Sequence, residues 1–195
     1  MNLLTKLGGG GALPPRDSLT NIARAWLGGF CAIAAVALLT TASHNPLVLG
    51  SFGATCVLVF GFPKVPFSQP RNVIAGHFLS SLIGLVFLNA FGSTWWSMGL
   101  AAGTAIAVML LTRTVHPPAG SNPVIVMMSR PEWVFLLTPT LIGASVILVI
   151  ALIINNSNTR RYPEYWIGRA PPHDSKPTAN VVSSVQGERK RPGKE

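Results

Sequence analysis

"TVHPPAGSNPVIVMMSRPEW", residues Thr114 to Trp133, decides how this chain folds. Its core, His116–Pro123, holds a histidine, three prolines, a glycine, a serine and an asparagine, and strongly apolar runs lie on both sides. Proline cannot donate a backbone hydrogen bond and stops a helix. Polar groups without partners are costly in hydrocarbon. A break of this kind inside a membrane-like sequence needs a structural or chemical reason.

Working outward, the apolar surroundings dominate. The 195 residues are 49% hydrophobic and 11% charged, whereas a soluble domain carries about 25% charged residues. No Asp or Glu occurs between Ser18 and Pro131. The pattern is that of an all-α polytopic membrane protein. The net charge of +9 does not point to nucleic acid, because about half of the Lys and Arg follow Ile154 and no aromatic residues interleave with a basic patch. Cys31 and Cys56 sit in apolar runs without metal or redox spacing. The run Ala25–Ala42 is longer than a signal-peptide core and is followed by further apolar segments, so it reads as a retained span.

Four runs are long enough, or nearly so, to cross: Ile22–Ala42, Val73–Phe91, Trp95–Leu111 and Val134–Ile154. Two shorter, Gly/Pro-interrupted runs, Pro46–Phe62 and Pro117–Ser129, either cross or re-enter on one side. If both cross, Arg130 alone among the 15 Lys and Arg lies outside, and Trp95, Trp96 and Trp133 share the outer interface. Charge bias therefore favours six elements with both termini cytoplasmic, in a bacterial-type inner membrane. The division is a cytoplasmic segment 1–21, a transmembrane domain 22–154, and a basic tail 155–195 whose proline-rich polar composition predicts disorder and attraction to the lipid surface.

The break also has an echo. His44-Asn-Pro precedes Gly50-Ser51 much as His116-Pro-Pro, 72 positions later, precedes Gly120-Ser121. Units 22–91 and 95–154 would each hold three elements and so lie in opposite orientation, the inverted-repeat plan of many transporters. Chance recurrence of glycine, serine and proline is the alternative.

Helix starts near Gly50-Ser51-Phe52-Gly53 and near Ser121-Asn122 would offer free N–H groups, hydroxyls and an amide, a set that suits a small anion. The region lacks the carboxylates that a hard cation wants, and holds His44, Arg71, His77 and His116 instead. Each has a plainer reading: His116 capping a loop, His77 satisfying a neighbouring helix, Arg71 snorkelling, Gly76 and Gly84 serving close packing. Three histidines could gather a soft metal, but no His-x-x-x-His spacing supports it. No nucleophile elbow, paired carboxylates or phosphate loop argues for an enzyme, and no cofactor motif is present.

Two stretches, "HPPAGSNPVI" (His116–Ile125) and "GSFGATCVLVFGFPKVPFSQPRNVIAGHFLSSLIG" (Gly50–Gly84), strongly resemble the HPP family of integral membrane proteins, over about Arg24 to Ile154. That family is usually described with four transmembrane segments, and plant members are associated with nitrite transport. The resemblance implies a transporter or channel for a small anion, nitrite first. By motif it carries over Gly50, Ser51, Gly53, Gln69, Pro70, Arg71, Asn72, His77, His116, Pro117, Pro118, Gly120 and Asn122. Ser121 stands where the family often has alanine. The expected substrate-binding set is Gly50, Ser51, Gly53, Arg71, Asn72, His77, His116, Gly120, Ser121 and Asn122, without metal. Lipid, the anion and a second copy of the chain are the expected partners. A non-transporting scaffold or accessory subunit is the main alternative, a histidine-lined metal transporter the third.

Overall fold

The computed structural model describes residues 13–157 and 161–167. Its elements are helices: α1 (Leu19–Ser43), α2 (Gly50–Cys56), α3 (Pro70–Phe91), α4 (Trp95–Leu111), α5 (Asn122–Ser129) and α6 (Ile142–Asn156). Tight 3-10 turns at Pro66–Ser68, Pro117–Ser121 and Trp133–Leu136, and wide π turns at Val57–Gly61 and Leu137–Leu141, complete the order.

Local chemistry sets the boundaries. α1 starts at Leu19, three residues earlier than expected, because the Ser18 hydroxyl accepts the Asn21 N–H at 3.2 Å. It stops where His44 turns left-handed at φ 55°. α3 opens with Pro70, whose missing N–H costs nothing in a first turn. α4 is closed in front by a reciprocal Thr94–Ser97 capping box.

Among the described residues, three helices are long and apolar enough to cross a bilayer: Leu19–Ser43, Pro70–Phe91 and Trp133–Asn156. Of the four runs expected to be long enough or nearly so, Trp95–Leu111 is helical with the expected bounds and is the short one. Trp95–Leu111 has 17 residues, about 25 Å of helix against roughly 30 Å of hydrocarbon. The last span is also less regular than its apolar sequence implies. Thr138 leaves helical geometry (φ −128°, ψ 112°), as Pro139 forces on the residue before it.

α3 lies at the centre, packed against α4, α5, α6 and the turn Pro117–Ser121, while α1 packs on α2 and α6. Small residues make the closest approaches. A Cβ on Gly84 would meet the Pro123 Cα at 2.9 Å, and one on Gly76 would meet the His116 Cβ at 2.7 Å. Neither neighbour could yield without moving backbone. α1 buries just one stripe, Gly28, Ala32 and Val36, and turns Trp26, Phe30 and Leu38 outward. In a membrane protein that apolar exterior faces lipid.

Most of the expected disordered tail lies outside the described residues. Its described part, 161–167, folds back. The Tyr162 hydroxyl donates to the Ser68 carbonyl (2.8 Å), and the Gln69 side-chain oxygen, Oε1, accepts the Glu164 N–H (2.9 Å). Gln69 also donates to the carbonyls of Pro63 and Val65. Its buried amide thus ties the loop before α3 to the segment after α6.

Candidate functional site

The buried side of α3 carries Asn72, Val73, Gly76, His77, Ser80, Ser81, Gly84 and Leu85, one face at helical spacing. Its polar members reach across to the opening motif. Asn72 donates to the Val115 carbonyl (2.9 Å) and Ser80 to the Ala119 carbonyl (2.5 Å). Gly76, between them, leaves room for the loop to lie on the helix. Pinned at both ends, the loop presents His116 to His77 with ring centroids 4.9 Å apart.

Both rings are fully buried, and Thr55 of α2 joins them. Its Oγ1 lies 2.9 Å from His77 Nε2 and 3.0 Å from His116 Nε2. The remaining partners fix the tautomers. Asn122 donates its amide N–H to His77 Nδ1 (3.0 Å), so the His77 proton sits on Nε2 and points at Thr55. Phe67 offers a carbonyl to His116 Nδ1 (2.7 Å), so that nitrogen carries the His116 proton. The single hydroxyl proton of Thr55 is shared between His116 Nε2 and the Ser51 carbonyl, 3.1 Å away. A directed hydrogen-bond chain results: Asn122 to His77, to Thr55, to His116, to Phe67. A branch continues from Asn122 to Ser81 (2.9 Å), which lies 3.2 Å from Thr140.

Two buried polar atoms here have no partner among the described residues, Ser51 Oγ and Asn122 Oδ1. Buried polar groups in folded proteins are almost always paired, so such orphans call for an explanation. Next to the Thr140 end, a cleft of about 510 Å³ runs between Asn45–Leu49 and the walls Ile125, Phe135, Thr138 and Pro139.

The structure thus gathers Ser51, His77, His116 and Asn122 of the expected set, and Asn72 supports their loop. It separates the others. Gly50 and Gly53 are exposed, with open space where a Cβ would stand, and Gly120 is half-buried and open. Ser121 is exposed and folds its hydroxyl onto the Pro118 carbonyl (2.8 Å). Arg71, at the start of α3, donates to the Thr112 carbonyl (2.9 Å).

Free N–H groups near Ser121 are the expectation most changed. The helical path begins at Pro117, five residues early, and two prolines contribute no N–H. The amides of Ala119 and Asn122 are already bonded to His116 and Ala119. Side chains, not backbone amides, furnish the polar groups of the second half. Sequence reading missed Thr55, Ser80, Ser81 and Thr140. Spacing held the clue: Thr55 is one helical turn beyond Ser51, and Ser80 and Ser81 are one turn beyond His77. Among the described residues no three of His, Cys, Asp and Glu gather as a metal site would need.

Comparison with known proteins adds the family. Two transmembrane proteins of Dictyostelium discoideum are each 37% identical to this chain, one over 81% of it and 55% of the relative, the other over 78% and 58%. The chain therefore spans a little over half the length of these curated relatives. No solved structure matches. The family model of the HPP transmembrane region matches residues 14–163, from before α1 to beyond α6. The match takes in every helix and the loop that seats His116, and the chain belongs to the HPP family of transmembrane proteins.

Proposed function

We propose that this chain moves a small monovalent anion across the membrane, with nitrite the leading candidate, and that it is not an enzyme. The observation that carries the reading is the buried Ser51 hydroxyl, which has no partner and is free to donate; Asn122 Oδ1, an acceptor, is the second orphan beside it. They lie in a polar cluster built from both short helices, in a stretch without a carboxylate. A pathway for a cation would be expected to hold one. The cleft beside Thr138 and Pro139 is the entrance this reading uses, and Arg71 is the charge at the opposite mouth.

The proposed topology has six elements, both termini cytoplasmic, in a bacterial-type inner membrane. Two contacts support it. Arg71 bonded to Thr112 puts Arg71 and Arg113 at one face. Ser93 donating to the Met127 carbonyl (2.8 Å) puts the start of α4, with Trp95 and Trp96, near the end of α5. These are the cytoplasmic and outer groupings that charge bias assigns. The inverted repeat is proposed on the same footing. α1 packs on α6 as α4 packs on α3, and each short helix packs on the long helix before it, as exchange of the two units would give; α5 also packs closely on α3, whereas the first half meets α6 there through the turn Val57–Gly61. A homo-oligomer is proposed as the working form.

A second reading, a non-transporting accessory subunit, is favoured by a different observation: all four imidazole nitrogens are already bonded within the chain. Reconstitution separates the two. Nitrite entering liposomes that contain the native chain, well above the rate into empty ones and abolished in Asn122→Leu with its fold retained, supports transport. Entry at the empty-liposome rate favours the accessory subunit.

A further inference from the structure

Asn122 stands at the junction of the cluster with its amide the wrong way round for an anion. The nitrogen donates inward, to His77 Nδ1 (3.0 Å) and Ser81 Oγ (2.9 Å), with the His77 carbonyl a longer third contact (3.3 Å), and the outward oxygen is the unpartnered atom. An anion needs donors, and the resting side chain offers an acceptor. What would reverse it is already in contact.

We propose that the chain takes up a proton on His77 together with its anion, and that the Asn122 amide couples the two by turning over. The proposal rests on the reading of this cluster as an anion site. A proton from solvent adds to the lone pair of His77 Nδ1, and no other bond is made or broken. Two N–H groups then face each other across the His77–Asn122 contact. A half-turn about the Cβ–Cγ bond of Asn122 resolves the conflict. Oδ1 now accepts from His77 Nδ1–H and from the Ser81 hydroxyl, which in turn accepts from Thr140, and these two bonds offset the loss of the longer contact to the His77 carbonyl. The amide NH2 points where the orphaned oxygen pointed, and gives an anion two donors. His77 Nε2–H goes on donating to Thr55, so the chain to His116 and Phe67 is undisturbed.

Electrostatics favours the same pairing. A lone anion in a buried site loses several kcal/mol of hydration, and this site has no resident cation to offset it. The elements packed on α3 are α4, α5, α6 and the adjoining turns, with α2 touching it through Thr55, and they contain no Lys, Arg, Asp or Glu. Their titratable groups are His116, which faces His77, and Cys56, which turns toward Gly29 of α1. Segment 161–167, at the start of α3, carries Arg161 and Glu164, both exposed, and Tyr165, whose hydroxyl meets Asn72. Arg71, on α3 itself, is engaged at Thr112. An imidazolium formed on His77 is therefore the nearest available countercharge. Linkage requires reciprocity: if the proton helps the anion bind, the anion helps the proton bind.

The test uses the full chain in lipid nanodiscs, weakly buffered, with a pH indicator and sodium nitrite as probe. The expected result is uptake of about one proton per nitrite bound, with affinity falling about tenfold per pH unit once His77 is neutral in the free protein. In 15N-histidine-labelled protein, nitrite should convert one ring to the doubly protonated form. Nitrite binding without proton uptake overturns the coupling and leaves the anion reading standing. Failure of nitrite to bind at all removes both. Asn122→Asp supplies a second measurement, because a carboxylate fixes the acceptor that the turned amide presents. Its His77 should be doubly protonated without nitrite, and nitrite binding should be lost. Native-like nitrite binding in Asn122→Asp overturns the role given to the amide.

Discussion

His44 and His116 stand in nearly the same words of sequence and in opposite surroundings. Each follows a helix and precedes proline, yet His44 is exposed at the end of α1 while His116 is fully buried with both ring nitrogens bonded. The difference lies in what α3 brings to each loop. Residues 115–119 are held by Asn72, Ser80 and the gap at Gly76. Residues 43–47 are held by Thr40, whose hydroxyl accepts the Leu47 N–H at 3.0 Å, and otherwise by bonds within the turn. A motif acquires chemistry from the helix it lies on, and here one of two similar motifs has such a helix.

The sharpest way to break this contrast is to exchange the two histidines for leucine. His116→Leu should lower nitrite flux in liposomes by about 100-fold, near 2.7 kcal/mol, and His44→Leu should stay within about twofold. Equal losses would mean that burial does not mark the working residue. Next in size are the glycines. Gly76→Ala drives a methyl into the His116 Cβ and should cost about 1–3 kcal/mol. Gly50→Ala, which meets open space, should stay within about 0.5 kcal/mol. Thermal unfolding in detergent compares them directly.

A smaller effect is expected from the clamp beneath the His116 loop. Tyr162→Phe removes the bond to Ser68 and should cost about 1 kcal/mol in the same unfolding assay. Burial raises the Tyr162 phenol above its ordinary range, since the charged form is the one desolvation penalises. A raised phenol stabilises the fold below the unfolded value of about 10, and that contribution is lost as the pH rises past it. The native protein should therefore weaken above about pH 10 more than Tyr162→Phe does.

Much of the architecture was legible because membrane sequence is a simple code. Absence of charge, apolar run length and the placing of prolines gave the helices and the break at His116. One feature was hidden for a stated reason. The kink at Thr138 sits in an apolar run, and its cause, Pro139, is a single residue that a length count passes over. α4 has the bounds expected of it, Trp95–Leu111, with the Thr94–Ser97 capping box at its start. For the site, histidine and asparagine announce themselves, and His77, His116 and Asn122 do meet. Thr55 did not stand out, because a threonine in an apolar helix more often bonds its own backbone. It does so here too, at Ser51, and serves both histidines besides. The glycines misled in the other direction: Gly50 and Gly53 suggested close approach, but the close approaches are at Gly76 and Gly84.

The fold-back of residues 161–167 has a consequence for how the molecule comes into being. The ribosome releases the Phe67 loop long before Tyr162, which clamps it from 94 positions away. Phe67 is also the acceptor that orients His116. The first half of the cluster must therefore wait, already in the bilayer, for a segment that emerges after α6. A message cut short before Tyr162 would encode α1 to α6 and still leave that floor unclamped.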